Sequence, residues 1–237
     1  MRQGLGFTLL LLLTAAPAAA WDIRDDAPAD GFRVFHERFS DAVYHYPRHG
    51  AAPLGLVGFE VYADAAVDQT FDDEGLEGPV IDDELTGGLL AVARVGARKG
   101  LPAGIDIGLA YGKVLDSDLD LVSADLQWAI LKGGALSPAL SLRLTGTQTL
   151  DSGSYDLQQY GAEVLLSKGF AVLTPYIGGG FVYSESRLSS PTRTLKEDST
   201  RGVLYAGATL NLLLPKITVE VEKGEELLYS AKVAFGL

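Results

Sequence analysis

From Leu54 to Leu237 apolar residues alternate with polar or small ones at a period of two, segment after segment. That is the period of a β-strand with two unlike faces, and it is incompatible with a helical fold for this stretch. Val57, Phe59, Val61 and Ala63 alternate with Gly58, Glu60 and Tyr62. Ile105, Ile107, Leu109 and Tyr111 alternate with Asp106, Gly108, Ala110 and Gly112. Val122, Ala124, Leu126, Trp128 and Ile130 oppose Ser123, Asp125, Gln127 and Ala129. The pattern recurs near residues 91–98, 140–145, 159–166, 176–183, 204–212, 217–222 and 227–237, giving about ten strands within a range of about 8–12.

Alternation leaves open which face is inside. A soluble lipocalin-like barrel turns its apolar face inward, and a membrane barrel turns it toward lipid. Several segments run ten residues or more, the length a tilted strand needs to cross a bilayer. The connections at 99–104, 132–138, 167–171 and 213–216 are short, whereas 64–85 and 186–200 read as long and polar. Short turns on one side and longer loops on the other suit an outer-membrane barrel. The polar face mixes both charge signs with glycine, as a crowded lumen would, and Phe59, Tyr111, Tyr160, Tyr183, Tyr229 and Phe235 sit where an interfacial girdle would lie. The expected fold is an all-β antiparallel transmembrane barrel over residues 54–237, preceded by a short helical segment.

The beginning of the chain has a different character. Residues 1–20 combine Arg2, the apolar run Phe7–Leu13 and Ala18-Ala19-Ala20, the order of a cleaved secretory signal peptide. In residues 21–53, Phe32, Phe35, Phe39, Val43 and Tyr46 recur at spacings of three and four, predicting an amphipathic helix ended by Pro47. This segment is expected to lie in the periplasm or to plug the barrel. His36, His45 and His49 all fall here, spaced nine and four residues apart, but no flanking ligand set converges, so no metal site is expected.

Composition narrows the function. The formal net charge is −12, which argues against nucleic-acid binding, and the absence of Cys removes disulfides, thiolate metal sites and Cys nucleophiles. The acidic stretch 64–85 lacks the order of a calcium loop; weak divalent bridging to lipopolysaccharide is its alternative to plain solvation.

The closing strand Tyr229-Ser-Ala-Lys-Val-Ala-Phe-Gly-Leu237 resembles the terminal strand that outer-membrane barrels present to their assembly machinery, with Tyr229, Val233, Phe235 and Leu237 on the recognised face. Its last residue is Leu, where that pattern ends in Phe or Trp. Residues 99–108 (Lys-Gly-Leu-Pro-Ala-Gly-Ile-Asp-Ile-Gly), 167–170 and 173–180 are similar to small proteobacterial outer-membrane β-barrel proteins without an assigned activity. The resemblance implies an outer-membrane location, lipid, lipopolysaccharide and the assembly machinery as partners, and no substrate or cofactor.

On the inferred inner face lie Glu60, Arg94, Arg98, Asp106, Asp125, Arg143, Glu163, Glu220, Glu222 and Lys232. In a narrow lumen such charges must pair or be solvated. The expected outcome is a charge network bracing the barrel, with a structural or interaction role. A narrow porin-like diffusion channel is the alternative, and a soluble periplasmic barrel holding an apolar ligand is the second alternative. No enzyme is expected: no His follows His49, so a His-dependent site could not come from the strands alone, only with a His lent by the N-terminal segment.

Overall fold

The computed structural model describes residues 21–236 except 72–74, 77, 83–88, 151–152 and 213, so residues 1–20, Leu237 and much of the acidic stretch lie outside the described residues. One helix, α1 (Ala29–Ala42), precedes ten strands: β1 (Phe59–Asp68), β2 (Leu90–Leu101), β3 (Ile105–Val114), β4 (Asp120–Lys132), β5 (Ala139–Leu150), β6 (Tyr155–Ser167), β7 (Leu173–Ser189), β8 (Thr194–Asn211), β9 (Pro215–Lys223) and β10 (Leu227–Gly236). Each strand pairs antiparallel with its sequence neighbours, and β10 pairs with β1 to close the barrel. An even strand number makes that last pair antiparallel and leaves no unpaired edge.

The alternation resolves with the apolar face outward. Leu109 is 66% exposed and Phe181 69%, whereas Asp106 and Gln127 on the other face are at 0%. The exposed residues form a continuous belt, including Phe59 and Val61 on β1, Leu126 and Trp128 on β4, and Val219 and Val221 on β9. Such a belt is stable only against an apolar solvent. The soluble barrel with an apolar cavity is therefore overturned: the lumen is polar and the apolar side chains are outside. No helix among the described residues is long and apolar enough to cross a membrane.

The belt has an upper edge. On β6 the outward residues change from Tyr160, Ala162 and Val164 to Gln158 and Asp156; on β7 they change from Phe181 and Tyr183 to Glu185 and Arg187. Tyr160 pairs with Tyr183, so the edge is one level on both strands. Beyond it β7 and β8 continue as a hairpin joined by residues 190–193. Residues 186–200, read from sequence as a loop, are thus mostly strand: their alternation looked irregular because both faces there carry polar groups. The long connection is 69–89, and β1 absorbs Asp64 and Asp68, which the sequence reading had placed in the acidic loop.

Three tyrosines on the inner wall lie across strand glycines. A Cβ on Gly96 would meet the Tyr62 ring at 2.4 Å, one on Gly178 would meet Tyr205 at 2.4 Å, and one on Gly207 would meet Tyr176 at 2.5 Å. These pairs fix register by shape, since an aromatic covering a glycine replaces its missing side chain. Gly178→Ala is expected to cost about 1–3 kcal/mol by overpacking against Tyr205. Gly202→Ala, where a Cβ meets nothing within 4 Å, is expected to leave stability unchanged. The temperature at which the compact, boiling-sensitive gel species disappears measures both.

Candidate functional site

Residues 21–53 run along the inside of the barrel. At the end reached by the 69–89 connection, Trp21 bridges to Ser117 and Ile23 to Ile81. There α1 buries Phe32, Phe35 and Phe39 against Phe71, Leu90, Leu121, Tyr155, Leu157, Leu188 and Leu228. Stacked and edge-on rings, Phe35–Phe39 at 5.0 Å and Phe39–Tyr155 at 5.6 Å, join the helix to β6. The apolar spacing of three and four residues supplies that face, as the sequence predicts.

The helix stops at Ala42, short of the predicted Tyr46. Arg94 Nη2 donates to the Val43 carbonyl at 2.7 Å, and the residue before Pro47 is disfavoured in helical geometry. The chain continues without regular structure, buried from Tyr44 to His49. A buried backbone without regular structure must find hydrogen-bond partners, and here the barrel wall supplies them. Arg201 Nη2 donates to Ser40 O at 2.7 Å, Lys232 Nζ to Pro47 O at 3.1 Å, and Arg143 Nη2 to His49 O at 3.1 Å. The Ser167 hydroxyl accepts from Ala51 N at 2.9 Å, and Asp106 accepts from Leu54 N at 3.1 Å. From Ser40 to Leu54 the segment thus meets side chains from most of the strands.

All ten inner-face residues singled out from sequence are buried on the lumen side, and most are brought into ion pairs with one another or with the N-terminal segment. Lys232 pairs with Glu60 at 2.7 Å, Arg98 with Asp106 at 3.2 Å, and Arg143 with Glu163 at 3.3 Å. Asp125 lies 3.5 Å from His45 and 3.8 Å from Arg98. Glu222 pairs with Arg48 at 3.0 Å, while Glu220 adjoins Glu222 and Tyr176. Arg94 faces Asp64 at 3.7 Å.

The sequence reading missed partners that complete this network. Arg48 reaches Asp64 at 2.6 Å, Arg201 reaches Asp41 at 3.0 Å, and the hydroxyls of Tyr44 and Tyr205 both donate to Glu163 at 2.5 Å. For Asp64 the signal was present: it continues the inward series Glu60, Tyr62 on β1. Arg48 and Tyr44 carried no signal, because no periodicity tells an irregular segment which wall it will face, and Asp41 sits in the last turn of α1, whose apolar spacing does not single it out.

The three histidines are separated. His45 faces Asp125, His49 lies beside Arg143, and His36 bridges Ser186 Oγ at 2.7 Å and Ser199 Oγ at 3.0 Å. Among the described residues no group of three or more His, Asp or Glu side chains is placed to hold a metal ion. His36 on the helix beside Ser186 and Ser199 on the strands is the lent-His arrangement left open by the sequence. Burial, with Arg201 nearby, lowers the His36 pKa from 6.5 to about 4. A neutral imidazole that donates to one serine and accepts from the other ties α1 to the β7–β8 hairpin, and at that pKa it is a weak proton acceptor.

On the closing strand, Tyr229, Val233 and Phe235 face outward and pair with Val67, Ala63 and Val61 of β1, so the residues of the terminal pattern lie on the barrel seam. Leu237 lies outside the described residues.

No protein-family model matches the chain, and no curated protein does. Among solved structures it is similar to the N-terminal β-barrel domain of Pseudomonas aeruginosa OprF (12% identity, 77% of this chain and 99% of that one, TM-score 0.35). It is also similar to Ail, the attachment invasion locus protein of Yersinia pestis (12%, 76% and 97%, TM-score 0.30). Neisserial surface protein A is a third (12%, 75% and 94%, TM-score 0.30).

Two outcomes test the network. Arg143→Ala leaves Glu163 in the lumen without its cation and is expected to cost about 3–5 kcal/mol; adding Glu163→Gln should recover part of that loss. Loss of the compact gel species on heating reads both variants. For His36 the folded pKa lies below the unfolded value, so protonation favours unfolding and stability falls as pH drops from about 6.5 toward 4. His36→Gln is expected to flatten the melting temperature across that window.

Proposed function

We propose that this chain is an outer-membrane β-barrel protein whose lumen is closed by its own residues 21–53, and that its work is structural or interactive rather than catalytic. The observation that carries this is the continuous outward apolar belt around a closed barrel with a polar, occupied lumen. Lipid is the solvent that such a belt requires, and closed barrels are one of two architectures that can meet it. Outward aromatics mark two levels: Tyr160 and Tyr183 at one edge, and Phe59 and Phe235 at the other. Both levels fit headgroup depth.

In this reading residues 1–20 are the export signal, residues 54–237 form the barrel, and the short turns face the periplasm. Residues 21–43 then lie at the outward end, and the chain passes inward through the lumen to the start of β1. The acidic 69–89 connection and the β7–β8 hairpin meet the lipopolysaccharide layer, and the β10 seam is the assembly machinery's substrate. The diffusion-channel alternative requires that residues 43–53 leave the lumen.

A disulfide tests the plug directly, because the chain has no Cys of its own. A Cβ built on Gly50 lies 3.0 Å from the Ser167 Cβ, close enough for a bridge after a small adjustment. Gly50→Cys/Ser167→Cys is expected to oxidise quantitatively in outer-membrane fractions and to migrate on gels in a boiling-dependent way. Absence of the bridge would remove the plug, and recovery of wild-type protein from the soluble periplasm would remove the membrane reading. Wild-type and locked protein are expected to be equally silent in planar bilayers; discrete conductance abolished by the lock would establish the channel.

A further inference from the structure

We infer that the barrel mouth beside the start of β1 is a binding site for a phosphate-class oxyanion. A cavity of about 280 Å³ opens there, walled by Arg48 and His49 of the N-terminal segment and by Arg98, Lys216 and Lys232 of the barrel. The inference rests on the plug reading, because two of those groups come from residues 21–53.

The charge arithmetic of the wall favours an anion. Glu60 is the one carboxylate lining the cavity, and it is shared: Oε1 takes Lys232 Nζ at 2.7 Å and Oε2 takes Lys216 Nζ at 3.1 Å. One negative charge between two ammonium groups leaves a positive charge facing the space. Arg98 gives Nη2 to Asp106 at 3.2 Å, but its Nε stands 3.8 Å from Asp125, beyond hydrogen-bond reach, and is buried without a hydrogen-bond partner. Asp106 is also engaged by Leu54 N at both oxygens, so it cannot turn wholly to Arg98. Arg98 lines the cavity, so an oxyanion there meets its guanidinium as well as the two ammonium groups.

Neutral donors complete the wall. The Thr209 and Thr218 hydroxyls lie 2.9 Å apart, so one can donate to the other and the second proton is free for a ligand. Both hydroxyls line the same cavity. Its volume is several times that of one water, enough for a phosphate group with part of a polar ester substituent. Lys216, 24% exposed in its side chain and at the start of β9, stands where the cavity meets solvent. An apolar ligand would strand these charges, and a cation would be repelled by them.

The shared chemistry is a phosphate oxyanion, and two sources can present it: free inorganic phosphate or a lipid phosphodiester headgroup. The experiment uses the full chain in non-ionic detergent and phosphate-free buffer, and reads loss of the compact gel species with temperature. One arm titrates inorganic phosphate against chloride at matched ionic strength. The other compares nanodiscs of a neutral glycolipid with and without phosphatidylglycerol. A saturable rise of about 5 °C or more at a hundredfold excess over Kd, in either arm, is expected. The arm that responds names the source.

Lys216→Met is expected to abolish the response and Lys216→Arg to keep it, each shift being read against that variant's own ligand-free melting because Glu60 is buried and loses one of its two cations in Lys216→Met. No saturable shift in either arm, a shift matched by chloride, or an undiminished response in Lys216→Met would overturn the site. Because Gly50 itself lines the cavity, bridge formation in the Gly50→Cys/Ser167→Cys protein read beside the phosphate titration of the wild type separates the two readings. A bridge that forms with no phosphate response refutes the anion site alone, whereas a bridge that fails to form refutes the plug and the site with it.

Discussion

The structure depends on how the barrel wall satisfies a backbone that has no secondary structure of its own. Between Tyr44 and His49 the chain is buried without regular structure, and a buried carbonyl without a donor is costly. Arg94, Arg143, Arg201 and Lys232 turn inward and donate to carbonyls between Ser40 and His49. The same four cations neutralise Asp64, Glu163, Asp41 and Glu60. Each base therefore has two tasks, holding the segment and compensating a carboxylate. That is why so many charges can sit in a narrow lumen, and why removing one partner is expected to disturb both the wall and the segment.

Legibility from sequence followed periodicity. The strands, their outward and inward faces, and all ten lumen charges could be read because alternation reports which side of the wall a residue occupies, as in Ile107 against Asp106. It failed where the two faces stop differing. Beyond the belt, Glu185 and Arg187 face water on the outside of β7, so the strand looked like a loop. It also failed for the segment inside, where Arg48 and Tyr44 find partners more than a hundred residues away or across the barrel. Those contacts are set by the depth at which the segment sits, which leaves no imprint on local pattern.

Charge segregates with depth. Near the start of β1 the lumen wall carries Lys216, Lys232 and Arg98 around one carboxylate; midway, Glu163, Glu222 and Asp64 are bridged by Arg143, Arg48 and Arg94; at the far end apolar rings replace ions. The sequence reading treated the lumen charges as one set. The structure divides them by depth: the cations at the mouth gather around Glu60, whereas those midway are set among several carboxylates.

The route of the N-terminal segment has a consequence for the order of events in folding. Residues 21–58 enter at one end of the cylinder and leave at the other, where the chain turns directly into β1, and the seam that completes the ring is β1 with β10. A helix about 10 Å across, carrying Phe32, Phe35 and Phe39, could not be drawn through a lumen already filled by paired side chains. The sheet must instead curl around the segment, as metal is bent around a mandrel, and the seam must zip last. The segment before β1 is then the part over which the strands are formed, and β10, pairing with β1, is the strand that shuts it in.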